Sequence, residues 1–241
     1  MSIPRESSRR PIVVIDGPAG AGKSSVAREV ARRLGLPMLD TGALYRSVAL
    51  AARRRGIAWD DEAALARLAE GLDVRFEPTA DGGRRVLLEG DDVTEAIRTP
   101  EISDGASQVS ALPGVRRALL DLQRDLGSRG CVAEGRDMGT VVFPDADVKF
   151  FLTADLATRA RRRRDQLEAD GRAAPPLEEL EASIARRDER DANRAVAPLR
   201  PAPDAIVLDT SRAGFEEVVQ QVMAHIAQCC PGLVGVSDAG A

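Results

Sequence analysis

The stretch with the clearest chemical capacity is Gly17-Pro18-Ala19-Gly20-Ala21-Gly22-Lys23-Ser24, followed by Ser25. An apolar run, Ile12-Val13-Val14-Ile15, precedes it, and a segment of helical periodicity, Val26 to Leu34, follows. Strand, Gly-rich loop and helix in that order are the context in which G-x-x-x-x-G-K-S cradles a polyphosphate. Glycine backbone turns several N–H groups inward on an oxyanion, and the first helical turn adds unpaired donors and the positive end of its dipole. Lys23 can then reach the β- and γ-phosphates of ATP, and the Ser24 hydroxyl can ligate Mg²⁺. The chain carries two lysines, Lys23 and Lys149, beside thirty-two arginines. A compact ammonium kept at position 23 in so arginine-rich a chain marks a place where a planar guanidinium does not substitute.

Arg136-Asp137 sits at the end of the apolar strand Cys131-Val132-Ala133, between Gly135 and Gly139. The glycines are expected to leave backbone room for a ligand. The arginine suits a phosphate and the aspartate a base amino group. Arg187, Asp191 and Arg194 are spaced i, i+4, i+7 and so share a helix face. That spacing suits a surface ion-pair ladder or a phosphate clamp equally well. Arg159, Arg162 and Arg163 share a face just ahead of the loop Asp170-Gly171-Arg172-Ala173-Ala174-Pro175-Pro176. They read either as a solvated basic surface or as a lid that brings arginine onto a transferring phosphate while excluding water. The single histidine, His225, lies in the last helix, which argues against imidazole acid–base chemistry. Phosphoryl transfer needs positioning and cations instead.

The elements that must hold these groups alternate. Strands are expected at Ile12–Asp16, Pro37–Asp40, Cys131–Ala133, Val148–Leu152 and Ala205–Leu208. Helices are expected at Ser24–Leu34, from Thr41 as N-cap to Arg55, from Asp60 or Asp61 to Gly71, at Pro100–Ala111 and at Pro113–Arg129. Three more run from Thr153 or Asp155 to Glu168, from Leu177 to Arg194, and from Phe215 to Gln228. Between Leu72 and Thr94 the texture changes to short alternating strands around the hairpin signal Asp81-Gly82-Gly83. The whole reads as α/β: a parallel sheet with helices on both faces and one antiparallel β insert. Ligands in such folds sit beyond the carboxyl ends of the strands, where all these groups should converge.

Bulk properties narrow the function. A net charge of −4 offers no global basic field for nucleic acid or anionic lipid. Seven aromatic residues, five of them Phe, are too few for base-stacking platforms. Cys131, Cys229 and Cys230 form neither a disulfide framework nor a metal-ligand spacing, which fits a reducing, cytoplasmic setting. No apolar run approaches membrane-spanning length, and no apolar stripe demands a partner, so a monomer is expected.

The chain resembles the bacterial cytidylate kinases, a branch of the nucleoside monophosphate kinases, over nearly all of residues 11–228. The resemblance rests on Asp16-Gly17-Pro18 with Gly22-Lys23, on Asp40-Thr41-Gly42-Ala43-Leu44-Tyr45-Arg46 and on Ala106-Ser107-Gln108-Val109. Two longer motifs are the most specific: Glu134 through Ala146, and Arg187-Asp188 with Arg190-Asp191 and Asn193-Arg194-Ala195-Val196-Ala197-Pro198. It implies a P-loop kinase fold: a five-stranded parallel core (11–71 and 99–228), an acceptor-binding β insert (72–98) and a helical lid (155–176), with residues 1–10 and 230–241 disordered. It implies transfer of the ATP γ-phosphoryl to CMP or dCMP with Mg²⁺. Carried over by motif, residues 17–25 hold ATP, and Ser107, Arg116 and Asp137 read cytosine. Thr41, Tyr45, Arg46, Arg136, Arg187, Asp191 and Arg194 meet the ribose and acceptor phosphate, and Arg159 and Arg163 belong to the lid. Lys23, Arg136, Arg159, Arg163 and Arg194 are the expected catalytic cations. Ser24 is the expected Mg²⁺ ligand, with Asp16 or Asp137 linked through water. Two positions depart from a common form of the motif: Ala19 replaces a serine and so lacks its hydroxyl, and Thr41 replaces a serine and keeps it. Other P-loop classes fit less well. The chain lacks the Asn-Lys-x-Asp of guanine switches and the Leu-Ser-Gly-Gly-Gln of transport ATPases. A kinase for UMP or a non-nucleotide acceptor is the remaining alternative.

Overall fold

The computed structural model describes residues 10–79 and 84–231. The expected hairpin tip at 81–83 and the expectations for 1–9 and 232–241 lie outside the described residues. In chain order come β1 (Ile12–Asp16), α1 (Lys23–Leu34), β2 (Met38–Asp40), α2 (Thr41–Arg54) and α3 (Glu62–Glu70). Then follow β3 (Val74–Pro78), β4 (Arg84–Leu88), β5 (Asp91–Asp92), α4 (Pro100–Val109), α5 (Pro113–Gly127) and β6 (Cys131–Gly135). The last are β7 (Val148–Thr153), α6 (Leu156–Ala169), α7 (Leu177–Ala192), β8 (Ile206–Asp209) and α8 (Phe215–Cys229).

Every residue of β1 is buried. Val13 and Ile15 enter one apolar cluster, with α1 and α8, while Ile12 and Val14 enter another on the opposite face. A strand covered on both faces belongs mid-sheet. β1 accordingly pairs in parallel with both β6 and β7, within the order β2-β6-β1-β7-β8. β2 and β8 close the edges, also in parallel. The expected five-stranded parallel core and antiparallel insert are both present, the insert as the three strands β3-β4-β5. The insert does not stand alone. Leu72, Val74, Val86, Leu88 and Val93 share one core with residues of α2, α3, α4 and α5. The α6–α7 hairpin has a separate small seam of Ala160, Leu167, Leu180 and Ile184.

Helix starts follow the sequence closely, with one correction. Asp61, Thr99 and Asp155 cap α3, α4 and α6 through their side chains. Thr41, however, is the first helical residue of α2, and Asp40 is the cap, accepting from the Ala43 N–H at 2.9 Å. Asp40 ends β2, so its carboxylate reaches the orphan donors first. Between β6 and β7 the chain makes a wide helical turn, Met138–Val142, that local periodicity does not announce. Asp16 explains it: its two oxygens accept the N–H groups of Met138 and Gly139 at 3.0 and 2.8 Å.

Candidate active site

The loop after β1 owes its shape to glycine. Gly17 and Gly20 have φ of 144° and 78°. A Cβ on Gly17 would lie 2.0 Å from the Leu152 carbonyl oxygen, and one on Gly20 would lie 2.9 Å from the Arg159 Cβ. The loop is thereby pressed against β7 and α6. It opens at Gly22 onto α1, whose N-terminus has neither a side-chain cap nor an acidic residue in its first turn. Those donors are left for an anion. Pro18, Ala19 and Ala21 contribute carbonyls that brace the loop, accepting from Lys23 Nζ (2.7 Å), Arg159 Nη1 (3.2 Å) and the Thr210 hydroxyl (3.2 Å).

Lys23 is buried, and burial is the main reason its pKa falls to about 7. Arg136 and Arg187 push it the same way, against the pull of Glu134. An ammonium so destabilised is a site short of negative charge. Glu134, which heads the long motif through Ala146 without being a candidate by spacing, joins this group through the fold. It lies beside Ile15 in the β1–β6 register, and the Ser24 hydroxyl donates to its Oε2 at 2.9 Å. Burial, reinforced by Asp40, raises its pKa, while Lys23 opposes the rise. Asp16 is turned to the Met138–Val142 turn instead, its pKa raised to about 6 mainly by burial. Ser25 is exposed at the start of α1.

A second group of cations gathers around Asp191. Arg136 Nε donates to it at 3.1 Å, Arg187 Nε stands 4.0 Å away, and Arg194 Nε donates to its backbone carbonyl at 3.2 Å. The shared-face expectation needs correcting in detail. α7 ends at Ala192, so Arg194 reaches the cluster through the turn past the helix end and not by helical periodicity. Burial alone would raise the Asp191 pKa, but Arg136, Arg187 and Arg194 hold it below the usual carboxylate value. One carboxylate for three guanidinium groups leaves cationic excess. Arg187 shows it: burial, Arg136, Arg46 and Arg163 bring its pKa down to about 10 despite Asp191. Three buried nitrogens here have no hydrogen-bond partner among the described residues: Arg46 Nε, Arg187 Nε and Arg194 Nη2. Buried unpaired donors are costly, and an anionic ligand is the group that satisfies them. Arg46 itself is held by Asp40 at 2.9 Å, and the Thr41 hydroxyl donates to the Glu134 carbonyl at 2.8 Å.

Arg159 and Arg163 part ways. Arg159 is buried and joins three elements, donating to Ala154 O (2.9 Å), Ala19 O and Asp188 Oδ2 (2.5 Å). It therefore ties the phosphate loop to the α6–α7 hairpin. Arg163 donates to Gln166 at 2.9 Å and contributes to the field around Arg187. Arg162, on the same face, donates to Thr210 at the end of β8.

The base-reading candidates form a third group. Arg116 makes a buried ion pair with Asp137 and donates to Ser110 O at 3.0 Å. Its guanidinium lies 5.5 Å from the centroid of the Tyr45 ring. Tyr45 thus stands with Arg116 and within the field of Arg194, which shares the Ser110 carbonyl with Arg116. Ser107 is buried near the end of α4 and its hydroxyl has no partner. A cavity of about 350 Å³ lies against Tyr45, Arg116 and Asp137. Contrary to expectation, the glycines around Arg136-Asp137 make room for protein and not for a ligand. A Cβ on Gly135 would lie 2.8 Å from Thr41 Oγ1 and Met138 Cγ, and one on Gly139 3.1 Å from Lys149 Cδ.

A phosphate loop after β1, a cluster of arginines around Asp191 and a largely apolar cavity edged by Arg116 and Asp137 define a P-loop phosphotransferase. Comparison with known proteins narrows the class. The cytidylate kinase family model matches residues 13–228. The cytidylate kinase of Pseudomonas aeruginosa (strain LESB58) is 55% identical over 218 residues, covering 89% of this chain and 94% of that protein. That of Shewanella loihica is 50% identical over 229 residues, covering 95% and 99%. Among solved structures, an uncharacterized protein from Eubacterium ventriosum superposes with TM-score 0.50 at 12% identity, covering 91% of this chain and 99% of that one, a likeness of fold. The chain belongs to the cytidylate kinase family and is a nucleoside monophosphate kinase. Among the described residues no helix is long and apolar enough to cross a membrane.

Proposed function

We propose that the protein transfers the γ-phosphoryl group of ATP to CMP and dCMP, giving ADP with CDP or dCDP. The observation that carries this reading is the buried Arg116–Asp137 pair, joined through Ser110 both to Ser107, whose hydroxyl has no hydrogen-bond partner among the described residues, and to Arg194 of the cations around Asp191. Cytosine offers an amino donor at N4 and acceptors at N3 and O2. A carboxylate accepts from N4, and a guanidinium donates to N3 or O2. Uracil reverses N3 and the 4-position, so both contacts turn unfavourable and leave buried groups unpaired.

ATP takes the loop of residues 17–25, its phosphates on the α1 N-terminus and Lys23. CMP lies along the cleft with its 5′-phosphate among Arg46, Arg136, Arg187 and Arg194, and with Thr41 and Asp191 toward its ribose. A phosphate oxygen of CMP attacks the γ-phosphorus in line as the bond to the β,γ-bridging oxygen of ATP breaks. Lys23, Arg136, Arg159, Arg163 and Arg194 offset the charge that shifts between the two phosphate chains. The donor set at Ser24 and Glu134, hard oxygens only, suits Mg²⁺. These two residues would hold it, in place of the expected Asp16 or Asp137, and the ion would neutralise charge on the β- and γ-oxygens. The separate apolar seam of α6–α7 supports a lid that moves as one piece, with Arg159 carrying its closure to the phosphate loop.

An ADP-release assay across CMP, dCMP, UMP and AMP tests the reading. Turnover on the two cytidine nucleotides at a kcat/KM at least about a hundredfold above the others is expected. Equal use of UMP, or ATP hydrolysis indifferent to the acceptor, overturns it.

A further inference from the structure

Gln123 lies on α5 two helical turns beyond Arg116, on the same face, and is among the most deeply buried side chains of the protein. It lines the cavity that also touches Tyr45, Arg116 and Asp137, together with Leu120, Val141 and Val142. Its carboxamide lies next to the Tyr45 hydroxyl on that cavity and favours the hydroxyl's ionised form, as a donor does. Its Oε1 has no hydrogen-bond partner among the described residues, which leaves the amide N–H as the group to meet the hydroxyl. An apolar side chain of the same shape would fill this place without the desolvation cost of a half-satisfied amide. The amide is explained if the tyrosine hydroxyl must be fixed.

Fixing that hydroxyl fixes the ring, and the ring underlies the Arg116 guanidinium at 5.5 Å. Arg116 is otherwise held only at its edges, by Ser110 O and Asp137. We infer that Gln123 is a positioning residue for acceptor-base recognition: through Tyr45 it sets the plane of the Arg116 guanidinium and with it the fork presented to the base. The inference rests on the cytidine reading above. Gln123 lies on the acceptor side of the site, and its effect should be confined there.

The test compares Gln123→Leu, Tyr45→Phe and the double variant with the unmodified protein, each assayed with CMP, UMP and ATP as the varied substrate. Gln123→Leu is expected to raise KM for CMP about tenfold and to lower the CMP-over-UMP ratio of kcat/KM by a similar factor, with KM for ATP within about twofold. Tyr45→Phe should do the same, and the double variant should lose no more than the larger single loss, because both act through one contact. If Gln123→Leu does not fold, Tyr45→Phe alone decides. Unchanged KM for CMP and an unchanged CMP-over-UMP ratio in Tyr45→Phe overturn the inference, as do losses that spread equally to ATP or add in full. The unmodified protein separates the two levels: if it does not prefer CMP, the underlying reading fails; if it does and the variants keep that preference, only this inference fails.

Discussion

Replacing Asp137 by asparagine keeps the size of the side chain and removes its charge, at the point where base identity is read. The carboxylate is almost fully buried, and Oδ2 receives Arg116. Its contact with the cytosine amino group is a charge-assisted hydrogen bond, which contributes about 1.5–3 kcal/mol, roughly 10- to 150-fold in kcat/KM. For uracil the sign reverses. A carboxylate opposite the O4 carbonyl is repulsive, and an amide that turns its NH₂ outward can donate to that oxygen, recovering about 1 kcal/mol. Together the two effects should shrink the CMP-over-UMP ratio by about a hundredfold. Asparagine also leaves the Arg116 guanidinium without its counter-charge, at a cost of about 2 kcal/mol. For a chain of this length that lowers Tm by about 4–8 °C. The assay is ADP release with each acceptor, at a temperature where melting curves show the variant folded. A CMP-over-UMP ratio within about threefold of the original would refute the base-reading role of Asp137, whatever happens to Tm.

The depressed pKa of Lys23 makes nucleotide binding pH-dependent. With a free-state pKa of about 7, the amine is mostly neutral at pH 8, and the ATP phosphates require it charged, so binding there should take up about 0.9 proton. Calorimetry in buffers of different ionisation enthalpy reads this directly; affinity should fall as pH rises above 7, and Lys23→Arg should abolish the uptake. Glu134→Gln and Ser24→Ala should each raise the magnesium concentration for half-maximal activity about tenfold while leaving KM for CMP within about twofold. A magnesium titration of activity that does not shift in either variant removes both residues from the metal site.

Much of the fold was legible because its signals are local. β1, α1 and the loop between them follow from Ile12–Asp16, the glycines and the 3.6-residue periodicity after Ser24. The Gly-rich loop was readable because its conformation excludes side chains, and glycine records that directly in the sequence. What the sequence did not reveal depends on contacts far apart in the chain. Asp16 is expected near the metal through water, and only the fold shows that its two oxygens also accept the Met138 and Gly139 N–H groups. Glu134 could be seen as part of a motif, but its place beside Ser24 depends on the β1–β6 register. Gly135 and Gly139 looked like ligand space because spacing cannot say whether a missing Cβ admits a ligand or a neighbouring methionine or lysine. The motif groups Tyr45 with Arg46, but on α2 adjacent residues point about 100° apart, and only the fold shows the Tyr45 ring against Arg116.

The most direct measurement of the central claim is a competition. The purified protein is given MgATP with equal concentrations of CMP and UMP, and the nucleotides are separated by ion-exchange chromatography at early times. CDP should appear in one-to-one proportion with ADP while UMP stays intact. UDP forming at a comparable rate, or ADP accumulating with neither diphosphate, would contradict the account.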